Sequence, residues 1–115
     1  MVDLFKALSE QSRLRILSLL IHGEMCVCEI ECSLKLIQST ASRHLNTLKQ
    51  CGILEKYKKA QWTYYRISER FMEEHQGLWQ YLKNELPKLP NYQNDFIVYQ
   101  NCKIEDNCCK SNTPH

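Results

Sequence analysis

The chain has 115 residues, 43% of them hydrophobic, and a formal net charge of +2. This length predicts one small domain with one modest core, to which dimerisation would add buried surface. No apolar run approaches the ~20 residues that span a bilayer, and Met1 does not lead into a basic and then an apolar segment, so we expect a cytoplasmic protein without a membrane anchor.

Positive charge is concentrated in one stretch of the chain. Between Lys35 and Arg70 there are eight Lys or Arg residues against Glu55 and Glu69, a net charge of +6. Residues 1–34 and residues 71–115 each carry a net charge of −2. A solvated cationic surface would explain this pattern, but a basic stretch of this kind is more typical of a protein that binds duplex DNA.

Three short helices are predicted before and at the start of the basic stretch. The first begins near Asp3, and the second covers residues 13–21 with Ser9 or Ser12 as its N-cap. The third covers about residues 26–36, where apolar side chains recur at helical spacing. We expect this third helix to be the first helix of a helix-turn-helix.

The next helix, which begins near Gln38, is the candidate recognition helix. Ala41, Leu45 and Leu48 recur at i, i+4 and i+7 and predict one buried stripe, and Gly52 is a suitable C-terminal stop. The opposite face carries short hydrogen-bonding side chains and one long cation. Such a face fits a major groove.

A β-hairpin is predicted immediately after this helix. Residues 53–58 and 62–67 are two strand-like runs around Lys59-Ala60-Gln61. A groove-reading helix followed by a basic hairpin predicts a winged helix-turn-helix. The expected fold class is therefore mainly α with a small β-hairpin, in a dimeric protein.

The C-terminal part is predicted to be a helix and a tail. Residues 71–86 form the expected helix, which Pro87 and Pro90 close. We assign residues 1–90 to a DNA-binding and dimerisation domain and residues 91–115 to a cysteine-containing tail that packs locally and then frays.

Groove chemistry assigns the DNA-binding roles. Arg43 reaches either a guanine edge or a phosphate. His44 lies nearer the apolar side, so a packed structural role is favoured over base readout. The other candidates are polar residues of the helix and cations of the wing: Gln38, Ser39, Thr40, Ser42, Lys56, Lys58, Lys59 and Arg66.

Seven cysteines in a cytoplasmic chain favour metal or redox chemistry over a disulfide framework. They fall into three groups, with Cys51 alone between an N-terminal and a C-terminal triplet. The triplets are Cys26, Cys28, Cys32 and Cys102, Cys108, Cys109.

Four segments together resemble the ArsR/SmtB family of winged-helix, metal-responsive repressors. They are FKALSEQSRLRILSLL near the start, MCVCEI at residues 25–30, QSTASRHLNTLKQCGIL from Gln38, and WTYYRI in the wing. The resemblance implies a homodimer whose first and last helices form the interface and whose recognition helices bind double-stranded operator DNA. It also implies that metal binding releases the DNA.

The resemblance also suggests the effector. Cys26-x-Cys28 is similar to the thiolate site of the family's arsenic, antimony, lead and cadmium sensors, with Cys32 or a tail cysteine as the third ligand. Three thiolates fit As(III) or Sb(III), as inorganic or organic arsenicals. The alternatives are Cd(II) or Pb(II), which would use a further ligand, and thiol oxidation at the same cysteines.

Helix geometry places one condition on this site. Cys28 and Cys32 share a helix face, whereas Cys26 lies about 200° from Cys28 around the axis. A regular helix therefore cannot point all three sulfurs at one atom. Either binding distorts the first turn, or the chain is already irregular there.

Two positions depart from the family pattern, and one function class is disfavoured. Ile37 stands where the family often has a Ser cap, so another group must satisfy the helix N–H donors. The turn at Lys59-Ala60-Gln61 lacks the usual Gly, so the wing is either wider or strained at a positive φ. With three glycines and no phosphate-binding loop, an enzyme is disfavoured.

Overall fold

The computed structural model describes residues 2–105, and they form a mainly helical fold with a small antiparallel sheet. The elements are α1 (Val2–Leu8), α2 (Gln11–Leu20), β1 (Met25–Cys26), α3 (Val27–Leu34), α4 (Gln38–Gln50), β2 (Leu54–Lys59), β3 (Trp62–Ile67), α5 (Glu69–Glu74), α6 (Gln76–Glu85), a 3-10 turn (Leu86–Lys88) and α7 (Tyr92–Glu105). This arrangement confirms the predicted fold class. Among the described residues no helix is both long and apolar enough to cross a bilayer.

The core lies between the first helices and the helix-turn-helix. Ile16 of α2, Ile30 of α3 and Leu45 and Leu48 of α4 are all fully buried. Ala41 is buried as well, so the whole predicted stripe of α4 faces the core. Burial of each large side chain contributes about 1.5–3 kcal/mol, and this fixes which face of α4 remains exposed.

Helix ends explain how α4 is positioned. α4 ends in a Schellman motif: Gly52 has φ 87°, and the N–H groups of Gly52 and Ile53 donate to the carbonyls of Lys49 and Leu48. This confirms the predicted stop. The predicted cap of α2 was wrong, because Glu10 rather than a serine accepts from Ser12 N–H, at 2.6 Å.

The sheet has a strand that the sequence did not predict. Its order is β1-β3-β2, with Met25 paired to Tyr65 and Cys26 paired to Tyr64. β1 has only two residues, too few for an alternating pattern to be recognised. It joins the segment before α3 to the wing.

The wing itself is tight. Lys59 pairs with Trp62, so the turn has two residues, and Ala60 adopts φ 59°. Of the two predicted possibilities, the strained positive φ is the one that occurs.

The helix predicted over residues 71–86 is interrupted. His75 leaves helical geometry at φ −126° and ψ 52° and separates α5 from α6. The break lets the chain bend, and Phe71 packs edge-on against Trp79 with the ring centroids 6.3 Å apart.

Residues 92–105 form α7, where the sequence predicted a tail. Its apolar residues 96–99 are consecutive rather than helically spaced, so periodicity gave no signal. α7 packs against α2 and α3 of the same chain. Arg15 of α2 forms an ion pair with the buried Asp95 of α7, and the His22 ring stacks on Phe96 with the centroids 3.8 Å apart. The predicted fraying concerns residues beyond 105, outside the described part.

Candidate functional site

The exposed face of α4 carries the predicted DNA contacts. Gln38, Ser39, Ser42 and Arg43 are exposed, and Thr40 is half-buried. These side chains lie opposite the buried stripe, so they are available to base edges and phosphates. The five side chains therefore remain candidates for DNA contacts.

The start of α4 has no side-chain cap. Ile37 occupies the N-cap position in extended geometry, and its side chain is 69% exposed. The first N–H groups of a helix have no intrahelical acceptor, and the helix dipole there favours an anion. A DNA phosphate is one group that would satisfy them.

His44 is placed differently from the other candidates on α4. It is 5% exposed, with Nε2 3.0 Å from Glu10 Oε2 and Nδ1 3.1 Å from Arg13 Nη1. Since Arg13 must donate, Nδ1 accepts and Nε2–H donates to Glu10, which is the neutral tautomer. Burial lowers the pKa of His44. The geometry favours the structural role over base readout.

The cations of the wing lie on two faces of the sheet. Cross-strand partners share a face, so Lys56 and Lys58 lie on one side, with Tyr65 and Thr63. Lys59 and Arg66 belong to the opposite face. All four side chains are exposed, as phosphate contacts must be.

The second face of the wing is organised by two stacked tyrosines. The Tyr57 and Tyr64 ring centroids lie 5.8 Å apart, and Arg66 Cζ lies 4.9 Å from the Tyr57 centroid. Lys59 Nζ lies 5.9 Å from the Tyr64 centroid and 4.0 Å from Glu24 Oε2. A hydrogen bond to Glu24 raises the pKa of Tyr57.

Cys26 and Cys28 are brought together by the end of β1. Cys26 is the N-cap of α3 in extended geometry, so the chain is already irregular at this point. The Cys26 and Cys28 Sγ atoms lie 2.9 Å apart, and both residues are buried. Of the two possibilities for this segment, the irregular chain is the one that occurs.

Two further cysteines adjoin this pair. Cys32 of α3 is disulfide-bonded to Cys102 of α7, across 70 residues of sequence. Cys102 is buried in one cluster with Cys26 and Cys28, and Cys32 packs against that cluster. We call these four residues the cysteine cluster.

The disulfide corrects one expectation from the sequence. Seven cysteines were interpreted as metal or redox ligands without disulfides, but docking of α7 on α3 brings Cys32 and Cys102 within bonding distance. Tertiary packing, which spacing cannot show, is the reason. Cys108 and Cys109 lie outside the described residues.

The cysteine cluster has the donor chemistry of a soft-ion site but is not a complete one in this state. Within residues 2–105 no three His, Cys, Asp or Glu side chains are arranged to hold a metal ion. Cys32 and Cys102 are disulfide-bonded, so Cys26 and Cys28 are the thiols of the cluster. Reduction would supply two more sulfur donors, so the residues fit a thiophilic ion. Cys51 is elsewhere, with Sγ 3.4 Å from the Leu48 carbonyl.

The fold, together with the exposed polar and basic side chains of α4 and the wing, defines a winged helix-turn-helix DNA-binding protein. Residues 10–56 match the family model described as bacterial regulatory protein, arsR family. The chain belongs to this family, which comprises DNA-binding regulators rather than enzymes.

Curated relatives agree with this assignment. A helix-turn-helix transcriptional regulator of Methanocaldococcus jannaschii is 44% identical over 73 residues, which is 63% of this chain and 82% of that protein. The arsenic resistance regulator ArsR2 of Pseudomonas putida is 43% identical over 67 residues, 57% of this chain and 58% of that protein. The cadmium resistance regulator CadC of Listeria innocua is 41% identical over 64 residues, 55% of this chain and 54% of that protein. The chain thus matches little more than half the length of the arsenic and cadmium regulators.

Solved structures agree on the fold. A homodimeric winged helix-turn-helix domain of Mycobacterium bovis, described as a possible ArsR-family regulator, is 33% identical. The alignment covers 73% of this chain and 78% of that one, with a TM-score of 0.62.

Proposed function

We propose that this protein is a homodimeric, cytoplasmic repressor that trivalent arsenic or antimony releases from operator DNA. The observation that carries the proposal is the 2.9 Å separation of the Cys26 and Cys28 Sγ atoms inside the cysteine cluster. Two adjacent buried sulfurs are a poor site for magnesium or calcium and a good one for a soft ion. A relative named as an arsenic resistance regulator supports the same effector.

The third ligand in this proposal is Cys32. It lies on the same helix as Cys28 and packs against Cys26, Cys28 and Cys102 within the cysteine cluster. In the oxidised state its sulfur is bonded to Cys102, so the effector binds the reduced chain. Cys102, Cys108 and Cys109 are the alternative third ligands.

DNA binding is assigned to α4 and the wing. Arg43, with Gln38, Ser39, Thr40 and Ser42, would contact bases and phosphates in the major groove. The wing cations Lys56, Lys58, Lys59 and Arg66 would contact phosphates and give the complex its salt dependence.

Dimerisation is assigned to the first and last helices of the winged-helix domain. Phe5 of α1 and Tyr81 of α6 are 54% and 62% exposed, and they border an apolar groove that Leu8, Leu14 and Leu82 also line. Such a groove on two adjacent helices suits a second copy of the chain. The homodimeric Mycobacterium bovis domain supports this assignment.

The proposal is tested by release of labelled operator DNA under reducing conditions. Fluorescence anisotropy is followed while arsenite, antimonite, cadmium, lead or zinc is added. We expect release by arsenite and antimonite at lower concentrations than by the other ions. Release by cadmium or lead alone would contradict the effector assignment and indicate a fourth sulfur ligand, which Cys102 can supply.

A second candidate function is a thiol-oxidation sensor, and the Cys32–Cys102 disulfide favours it. Two thiols would lose two electrons and two protons to a hydroperoxide, which becomes water and an alcohol. Release of operator by a hydroperoxide, with no response to any ion, would support this candidate over the first. Loss of that response in Cys102→Ser would identify the cysteine pair.

A further inference from the structure

The cysteine cluster and the wing meet at one residue. Cys26 is paired with Tyr64 in the sheet, and the Tyr64 side chain packs against the cluster. Tyr64 also belongs to β3, the second strand of the wing. A change at the sulfurs can therefore reach the wing directly through Tyr64.

Tyr64 is the neighbour of the cluster that belongs to the wing. Cys26 is fully buried and Cys28 is 5% exposed. Because interiors are close-packed, an ion bonded to both sulfurs must displace a neighbour. Val98 lies on α7, which the Arg15–Asp95 ion pair fixes to α2. Tyr64 is half-buried and packs against the cluster from the wing.

The Tyr64 ring is in turn connected to two cations of the wing. Lys59 Nζ lies 5.9 Å from its centroid. Tyr57 stacks on it at 5.8 Å, and Arg66 Cζ lies 4.9 Å from the Tyr57 centroid. Displacement of Tyr64 therefore alters the support of both Lys59 and Arg66.

We propose that Tyr64 is a positioning residue that transmits effector binding at Cys26 and Cys28 to Lys59 and Arg66. The inference rests on the proposed function. Effector binding displaces the Tyr64 ring, the Tyr57 ring follows, and the two cations leave the positions in which they contact phosphates. α4 keeps its place, so the complex is weakened through the wing. Loss of two phosphate contacts in each protomer of the dimer reduces the magnitude of the slope of log K against log salt concentration by about 3.6.

The first test uses tryptophan fluorescence to observe the wing directly. The chain has two tryptophans, and in a Trp79→Phe variant Trp62 of β3 is the one that remains. Trp62 lies on the same sheet face as Tyr64. We expect arsenite to change Trp62 emission in this variant. The change should be absent when Tyr64→Leu is added, although equilibrium dialysis still finds bound arsenite.

The second test measures operator affinity with and without arsenite. We expect arsenite to weaken binding about tenfold in the wild type, a typical coupling between two sites, and less than about twofold in Tyr64→Leu. Thr63→Val is the control, because it changes a β3 residue on the opposite sheet face, paired with Lys58 rather than with Lys59 or Arg66. Its response should equal that of the wild type.

The Tyr64→Leu and wild-type results together separate the inference from the proposed function. A Tyr64→Leu protein that binds arsenite and releases DNA like the wild type would overturn the inference and leave the proposed function intact. A wild type that neither binds arsenite nor responds to it would overturn both. If Tyr64→Leu fails to fold or to bind arsenite, Tyr57→Leu decides, since Tyr57 contacts Tyr64 from outside the cluster. Undiminished release of DNA by arsenite in Tyr57→Leu would contradict transmission through the stacked Tyr64 and Tyr57 rings.

Discussion

Arg15 and Asp95 form a two-point ion pair that docks the last described helix onto the core. Arg15 Nη2 lies 2.7 Å from Asp95 Oδ1, and Arg15 Nε lies 2.9 Å from Asp95 Oδ2. The Asp95 side chain is 1% exposed, whereas that of Arg15 is 25% exposed. The hydrogen bonds to Asp95 raise the pKa of Arg15. This contact holds α7 beside α3, where Cys102 meets the other cysteines.

Removal of the two partners should have unequal effects. Arg15→Ala leaves a buried carboxylate without its cation and should lower the free energy of unfolding by about 3 kcal/mol or more. Asp95→Ala should lower it less, because the guanidinium left behind reaches solvent. Urea denaturation under reducing conditions measures both. Arg70→Ala, which breaks an exposed pair with Glu74, is the control and should change the free energy of unfolding far less, because solvent screens that pair. Equal losses for Arg15→Ala and Arg70→Ala would contradict this account of α7 docking.

The wing turn is strained at Ala60. Its φ of 59° costs an L-residue about 1–2 kcal/mol that glycine does not incur. Glycine also loses more backbone entropy on folding, which offsets part of this gain. Ala60→Gly should therefore raise the free energy of unfolding by no more than about 1 kcal/mol. Gly52→Ala is the reciprocal variant. An added Cβ there meets no atom within 4 Å, so the variant should destabilise the protein through backbone strain at φ 87° rather than through a clash. Thermal unfolding of the two variants should shift the midpoint in opposite directions.

Stability should decrease as the pH falls, through His44. Burial lowers the pKa of His44 from its ordinary value of 6.5, while Glu10 raises it and Arg13 and Arg43 lower it. Above pH 6.5 the imidazole is neutral in both the folded and unfolded states. Below it the unfolded state binds the proton first, so stability is lost as pH falls toward the folded pKa.

The variant His44→Gln separates this contribution from others. Its free energy of unfolding should vary less between pH 7 and pH 5 than that of the wild type. The control is His75→Gln, at an exposed position between α5 and α6, which should keep the wild-type pH dependence. An unaltered pH dependence in His44→Gln would exclude His44 as its source.

Arg43 is the long cation on the exposed face of α4. Arg43→Ala should weaken binding to the specific operator by about 1–3 kcal/mol and bring it closer to binding of unrelated DNA. Sedimentation should show an unchanged oligomeric state, because Arg43 lies on α4, whereas the proposed dimer groove is bordered by Phe5 of α1 and Tyr81 of α6. Footprinting measures the specific component. Lys58→Ala is the comparison, since loss of a phosphate contact should weaken specific and unrelated DNA alike.

Local sequence patterns predicted the helix and hairpin of the DNA-binding unit well, because residues close together in the sequence determine both elements. The stripe at Ala41, Leu45 and Leu48 fixes the buried face of α4, and Gly52 fixes its end. The hairpin was predicted from two strand-like runs on either side of Lys59-Ala60-Gln61. These features need no knowledge of the rest of the chain.

The arrangement of the cysteines could not be predicted in the same way. Spacing alone placed Cys26 and Cys28 on different sides of a helix, whereas β1 moves Cys26 out of the helix and beside Cys28. The pairing of Cys32 with Cys102 depends on the docking of α7, whose consecutive apolar residues carry no period. Both relationships arise from tertiary contacts, which only the folded chain defines.

The proposed function depends on binding of the effector by the thiols of Cys26 and Cys28. The most direct measurement is the anisotropy of operator DNA bound to Cys26→Ser or Cys28→Ser, titrated with arsenite under reducing conditions. Cys51→Ser is the matched control, since Cys51 lies at the end of α4 and outside the cluster. The account predicts that both cluster variants bind operator and keep it in the presence of arsenite, while Cys51→Ser releases it like the wild type. Release from Cys26→Ser and Cys28→Ser at the wild-type arsenite concentration would contradict the account.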